Sequence, residues 1–207
     1  MIAKQTRSFD ETAVSLIDLN TVKAHLNIIR TDEDSLLTAY LENALDWAST
    51  ELGYNVRKST VDYYFDRDET DNTGERIAIR GGLRIPANVL SLTGVYFNGQ
   101  TGETTMVQNT DYTFNRNGQY IPIVKVLQTP ESFADTGHGY RVRVVEGFSN
   151  SATNQHDKLP PVIKQAVLMK VRDIYDFRGQ EIVGTISSQL SVIAADYLRP
   201  YSKIMIQ

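Results

Sequence analysis

The chain has 207 residues, with 21 Lys+Arg against 25 Asp+Glu for a net charge of −4, and 41% of its residues are hydrophobic. Those values are ordinary for a globular protein, and zero cysteines exclude a disulfide scaffold, a thiolate metal site and a cysteine nucleophile. The mild acidity argues against a sequence-reading nucleic-acid binder, and no apolar run reaches the roughly 20 residues that span a bilayer.

In chain order, residues 1–11 carry no apolar run of signal-peptide type, so nothing there suggests secretion. Asp18 is a candidate cap for a short helix over Leu19 to Leu26, with Val22 and Leu26 on one face. Thr31 is a candidate cap for a second helix, with Asp34 adding a carboxylate near its positive end. Leu37, Leu41, Ala44, Ala48 and Leu52 form its apolar stripe, flanked by Leu36, Tyr40 and Trp47, and Gly53 supplies a left-handed end.

From about residue 58 to 146 the period switches to that of strands. Residues 60–65 are β-branched and aromatic, while 76–80 and 140–144 alternate apolar with polar. Asn98-Gly99 and Asn117-Gly118 predict two hairpins, over residues 95–107 and 112–126, because both residue types tolerate the positive φ of a tight type I′ turn. Residues 149–157 are polar and loop-like. Pro160-Pro161 then opens a third helix with Ile163, Val167, Val171 and Ile174 inward and Gly179 closing it. A shorter helix spans 189–198, and residues 201–207 alternate like a free strand.

The fold expected is therefore α+β: two N-terminal and two C-terminal helices forming a helical core, with an antiparallel β insert between them. The boundaries are 1–57 for the N-terminal arm and first half of the core, 58–157 for the insert, 158–200 for the second half and 201–207 for a tail.

No chemistry-bearing constellation stands out. His25, His138 and His156 are scattered without ligand-like spacing and read as surface or boundary residues. The acidic run from Asp66 to Glu75 suggests a calcium loop, but its sixth position is Asp71 instead of glycine and its twelfth is Ile77 instead of glutamate. It reads instead as a solvated loop. Gly137-His138-Gly139 precedes a strand and lacks a third glycine, so it is no dinucleotide loop. The carboxylates Asp32, Glu33, Asp34, Glu42 and Asp46 are spread around their helix, which suits solubility. Arg76, Arg80, Arg84, Arg141 and Arg143 alternate with aliphatics, a pattern that fits solvent-facing strand edges better than a phosphate-binding face. The expectation is a protein without catalytic residues, metal or cofactor.

Five segments carry a resemblance, together with β-insert strands like Arg84-Ile85-Pro86, Val95-Tyr96-Phe97-Asn98-Gly99 and Val142-Arg143-Val144-Val145-Glu146-Gly147-Phe148. Leu19-Asn20-Thr21-Val22-Lys23-Ala24-His25-Leu26 is similar to the L-x-x-V-K-x-H-L opening of head-to-tail connector proteins of tailed double-stranded DNA bacteriophages. The acidic cap at Thr31-Asp32-Glu33-Asp34, leading to Gly53, resembles their next helix. Pro160-Pro161-Val162-Ile163-Lys164-Gln165-Ala166-Val167-Leu168 resembles their later P-x-x-I-K-x-A-x-L helix. Tyr175 to Gly179 resembles its end, and Leu198-Arg199-Pro200-Tyr201 the closing L-x-P-Y. Ser202 stands where these proteins often have arginine, with Lys203 next to it, and the first seventeen residues have no counterpart.

The resemblance implies a non-enzymatic adaptor of the virion neck, assembled in the host cytoplasm. It would form a homo-oligomeric ring, usually dodecameric, beneath the portal protein. There it would extend the DNA channel, help retain the genome and dock the next tail or neck protein, passing double-stranded DNA without sequence-specific binding and without a membrane. Tyr201, Lys203, Ile204, Met205 and Ile206 are the expected portal-binding residues, through strand addition of the tail. Two alternatives remain from the residues alone: a ligand- or carbohydrate-binding β module of a tail accessory protein, and a hydrolase using the carboxylates of residues 66–75.

Overall fold

A computed structural model describes residues 2–65, 82–85, 88–116, 122–128, 139–177 and 187–202. The architecture is mixed α+β, and the chain divides into two compact units. One comprises Met1–Phe9 with Ser59–Glu146, the other Asp10–Lys58 with Gly147–Gln207.

The first unit is built from β-strands. Its larger sheet runs in the order β1-β2-β8-β4-β5, with β1 Ile2–Phe9, β2 Ser59–Phe65, β4 Val89–Gly99, β5 Gly102–Thr105 and β8 Tyr140–Glu146. All its pairings are antiparallel. Alternation divides the side chains between two faces. Val61, Tyr63, Val142, Val144, Val95 and Phe97 share the apolar face and are buried. The Phe97 and Tyr140 rings meet there with centroids 5.7 Å apart. A smaller sheet orders β3 Leu83–Arg84, β7 Ile123–Val126 and β6 Tyr112–Asn115, burying Leu83, Val124, Val126 and Tyr112.

Two details of this unit differ from expectation. The N-terminal residues form a full strand, β1, paired along β2 with a bulge between Thr6 and Ser8. The first hairpin forms, but Gly99 pairs with Gly102, so the turn lies at Gln100-Thr101 and Asn98-Gly99 belongs to the strand. Continued pairing of Asn98 with Glu103 and of Gly99 with Gly102 adds ladder bonds that an Asn-Gly turn would forfeit, and Gly102 takes the positive φ of 121°. The strands of the second hairpin, β6 and β7, pair in register, whereas Asn117-Gly118 lies outside the described residues, as do residues 66–81.

The second unit is helical: α1 Ala13–Leu16, α2 Leu19–Leu26, α3 Asp34–Leu52, α4 Pro161–Asp176 and α5 Ser187–Leu198. The α3 stripe is fully buried and includes Leu45 besides the five expected residues. α4 packs on both α3 and α5, contributing Ile163, Ala166, Val167 and Val171, while Ile174 is only half-buried. At about 1.5–3 kcal/mol for each large side chain taken from water, this three-helix seam dominates the unit's stability.

The caps are redistributed. Thr31 does not cap α3: Glu33 takes the cap position, and Asp34 pairs with Lys23 of α2 at 2.8 Å. Asp34 stands in the first turn of α3, near the positive end as expected, so the ion pair between neighbouring helices adds to the dipole contact. Asp18 occupies the α2 cap position without a side-chain bond to it. Gly53 ends α3 at φ 77°, as its position predicts. Residues 149–157 are a loop with a fastening role, because Asn150 donates to the terminal carbonyls of α1, that of Ser15 at 3.2 Å and that of Leu16, while Ser149 donates to Glu11. At the loop's start Gly147 has φ 107°, and a Cβ there would fall 2.5 Å from the Arg57 carbonyl oxygen. Among the described residues no helix is long and apolar enough to cross a membrane. Gly179 lies outside the described residues.

Candidate functional site

The polar face of the five-stranded sheet carries the densest arrangement of charge in the described chain. Its centre is Asp62 on β2, with no solvent exposure. In antiparallel register Asp62 stands opposite Arg143 of β8 and Gln5 of β1, and period-two alternation adds Arg141 and Tyr64 to the same face. Arg143 binds Asp62 through both oxygens, Nε to Oδ1 at 2.7 Å and Nη2 to Oδ2 at 3.0 Å. Arg7 donates Nε to Oδ2 at 2.7 Å and Nη2 to the Tyr64 hydroxyl at 3.1 Å. Arg141 adds Nη1 to Oδ2 at 3.2 Å and turns its remaining nitrogens on Glu103 of β5, Nε at 2.8 Å.

Arg7 occupies the β1 bulge, an extra residue that re-aims a side chain from the regular alternation. Arg141 also stacks on Tyr96 of β4, its guanidinium carbon 3.8 Å from the ring centroid. Gly94 makes that possible, since a Cβ there would fall 2.9 Å from the Tyr96 hydroxyl.

The electrostatics follow from these bonds. Burial alone would raise the Asp62 pKa, but hydrogen bonds from Arg143 and Arg7 and the charges of Arg143 and Arg141 outweigh it, holding the carboxyl at about 2. The hydrogen bond to Glu103 raises the pKa of Arg141, and hydrogen bonds to Asp62 raise those of Arg143 and Arg7. Among the described residues, three arginines against Asp62 and Glu103 leave one surplus positive charge. On the opposite face a second carboxylate, Glu146, is buried and accepts from the Tyr63 hydroxyl and from Lys4 at 2.7 Å. Burial first, then Glu146, drives the Tyr63 pKa upward, so its phenol stays a donor.

This face corrects one sequence expectation. Arg141 and Arg143 do not line a solvent-facing edge: β8 lies between β2 and β4, and Arg141 is 8% exposed. Their alternation was legible; the buried acid between them was not. Asp62 sits in a run of β-branched and aromatic residues, and only its pairing partners reveal its role. Arg84 is exposed on β3, and Arg76 and Arg80 lie outside the described residues.

The remaining candidates are dispersed. His25 on α2 is partly buried, and burial, then the charge of Arg172, lowers its pKa. His156 belongs to a 3-10 turn over Gln155–Asp157, and His138 lies outside the described residues. Among the described residues, no group of three or more His, Asp or Glu is placed to hold a metal ion. Tyr201 ends a 3-10 turn that follows α5, and its carbonyl oxygen accepts from the Tyr54 hydroxyl at 3.3 Å, just beyond the C-terminus of α3. Lys203, Ile204, Met205 and Ile206 lie outside the described residues. Among the described residues, five exposed apolar side chains, Ile29, Leu36, Phe177, Ile193 and Tyr197, belong to the helical unit.

Residues 16–120 match the family model of the phage gp6-like head-tail connector protein. Among curated proteins there is no significant match. Among solved structures the chain is similar to one from the "Neck of empty GTA particle computed with C6 symmetry", at TM-score 0.68 and 16% identity over 100% of this chain and 97% of that one. A chain from the "Virion of native gene transfer agent (GTA) particle" matches at TM-score 0.68 and 15% identity, over 99% and 97%. One from the "Neck of native GTA particle computed with C12 symmetry" matches at 0.66 and 15%, over 100% and 97%. At this identity the three share the fold of this chain.

Proposed function

We propose, since this chain belongs to the phage gp6-like head-tail connector family and is therefore a structural connector and not an enzyme, that it forms a ring at the virion neck beneath the portal. The ring continues the DNA channel, helps retain packaged DNA and presents a docking surface to the next tail or neck protein. The observation that carries this reading is the family match over residues 16–120. Full-length likeness to chains of a gene transfer agent neck, treated there with six-fold and twelve-fold symmetry, supports the location and a twelve-membered ring. Interfaces that differ on the two sides of a subunit close into such rings by rotation. A net charge of −4 per subunit suits a channel that must release DNA rather than grip it.

Portal attachment goes to the tail. Tyr201 is tied to Tyr54 at the end of α3, so residues 203–206 start from a fixed point on the helical unit. Their alternating Lys203-Ile204-Met205-Ile206 pattern suits strand addition, in which main-chain bonds supply affinity and alternate side chains set register. Deletion of residues 202–207 is expected to abolish joining to portal-bearing heads while leaving the fold and the ring intact. Normal joining by that variant would remove the tail from the reading. Images of the purified chain and of virion necks test the ring itself, and a monomer in both settings would overturn it.

A further inference from the structure

We propose that the arginine face of the sheet docks on the acidic face of α3 of a second copy of this chain, which makes this pair of surfaces the contact between neighbouring subunits. The proposal rests on the ring reading and adds the surfaces that build it.

The arginine face is charged, fixed and incompletely used. Arg7 spends Nε and Nη2, and Arg143 spends Nε and Nη2, so each keeps Nη1 without a partner among the described residues. Their side chains are 44% and 30% exposed, and Asp62 beneath them is inaccessible. An arriving carboxylate meets guanidinium groups already oriented by Asp62, so little side-chain entropy is lost on contact. The surplus positive charge of this cluster favours an anion.

α3 supplies the complementary surface. Its nineteen residues hold four carboxylates, Asp34, Glu42, Asp46 and Glu51, and no lysine or arginine. Asp34 pairs with Lys23 and Asp46 with Arg57, whereas Glu42 and Glu51 have no partner among the described residues. Glu42 and Asp46 are four residues apart on one exposed stripe with Ser35, Ala39 and Thr50, whose small side chains admit close approach. With Asp46 already paired to Arg57, Glu42 is the carboxylate of this stripe left for an arriving cation. A surplus of one charge is a poor match for a DNA backbone, which is gripped through many phosphates, but it suits the single unpaired carboxylate of Glu42. Sheet against helix is a contact between unlike surfaces, the kind that propagates from copy to copy until a ring closes.

The test is a charge swap in the full-length chain, read by mass photometry across a concentration series at about 0.15 M salt. Glu42→Lys changes an exposed helix position, and Arg7→Glu changes an exposed strand position. Each is expected to raise the concentration of half-assembly at least tenfold, Glu42→Lys with unchanged thermal stability and Arg7→Glu folded but less stable because Asp62 loses one partner, and the double variant is expected to recover most of the assembly loss. Arg7→Gln replaces Arg7→Glu should the latter fail to fold, with a smaller shift expected. Single variants that assemble like the wild type overturn the contact and leave the ring reading standing. Loss in both singles without recovery in the double shows that the two faces do not meet and also overturns it. Wild-type assembly by Arg7→Glu together with lost affinity for a short DNA duplex assigns the face to DNA instead. A wild-type chain that is monomeric both alone and in virion necks overturns ring and contact together.

Discussion

In the sheet unit a carboxylate without solvent exposure is held by three arginines, whereas the longest helix of the other unit buries six aliphatic positions and leaves most of its charge outside. The sheet unit also has an apolar face, but its opposite face is ordered by hydrogen-bonded ions instead of being left to water. Such a face demands full partnership, because a buried charge that loses its partners costs far more than a surface pair contributes. The helical unit depends mainly on shape: Leu37, Leu41, Ala44, Leu45, Ala48 and Leu52 are buried on α3, which packs against α4 and α5, and its buried Lys23 is paired with Asp34. One unit is therefore sensitive to charge and the other to volume.

Two substitutions separate these sensitivities. Asp62→Ala strands Arg141, which is 8% exposed, along with Arg143 and Arg7, and is expected to cost about 3–5 kcal/mol. Leu41→Ala in α3 is expected to cost about 3 kcal/mol by leaving a cavity. Urea unfolding measures both, and hydrogen exchange locates each loss: Asp62→Ala loosens β2 and β8, and Leu41→Ala loosens α3 and α4. A cost below about 1 kcal/mol for Asp62→Ala would show that the arginines stand without their acid, and the contrast between the units would collapse.

Acid sharpens the same contrast without a cavity. The Asp62 carboxyl falls from an ordinary 3.8 to about 2 in the folded chain, so the folded state favours its ionised form. That stability is fully present above the unfolded value and disappears as pH drops through about 2, amounting to about 2 kcal/mol. Asp62→Asn lacks the titration. The gap in unfolding free energy between wild type and Asp62→Asn should therefore narrow by about 2 kcal/mol between pH 5 and pH 2. A gap that stays constant would mean that the carboxylate gains nothing from its arginines. Leu41→Ala should show no such narrowing.

The helical unit was the more legible of the two in sequence, for a physical reason. A helix announces itself through contacts three and four residues apart, so the α3 stripe and Gly53 could be read locally. Strand partners come from distant residues: Asp62, Arg7, Arg141 and Glu103 are far apart in the chain and meet only once register is known. β1 was missed because a single N-terminal strand with polar alternation resembles a loose arm until β2 is seen beside it. The first hairpin was legible in place but not in turn register, since Gly102 offered a second residue tolerant of positive φ. The family resemblance included the strand that carries Arg143, but it assigned that residue no role, because Asp62 opposite it is identified only by strand register.

Caps give the smallest and most local test, because two residues of the helical unit look alike in sequence and behave differently. Asp18 precedes α2 and reads as a cap, yet its side chain makes no cap bond. Thr12 precedes α1 and does cap it: Oγ1 accepts from the Ser15 backbone N–H at 3.3 Å, and the Ser15 hydroxyl returns a bond to the Thr12 carbonyl at 2.7 Å. Thr12→Ala is expected to cost about 1 kcal/mol, and Asp18→Ala only a few tenths, from its charge near the α2 N-terminus. Thermal unfolding of the two variants at neutral pH and moderate salt checks the difference. Equal losses would mean that the Thr12 hydrogen bond contributes no more than the Asp18 charge does. A loss confined to Thr12→Ala assigns the stability to the hydrogen bond, as expected for a four-residue helix whose other end is held by Asn150.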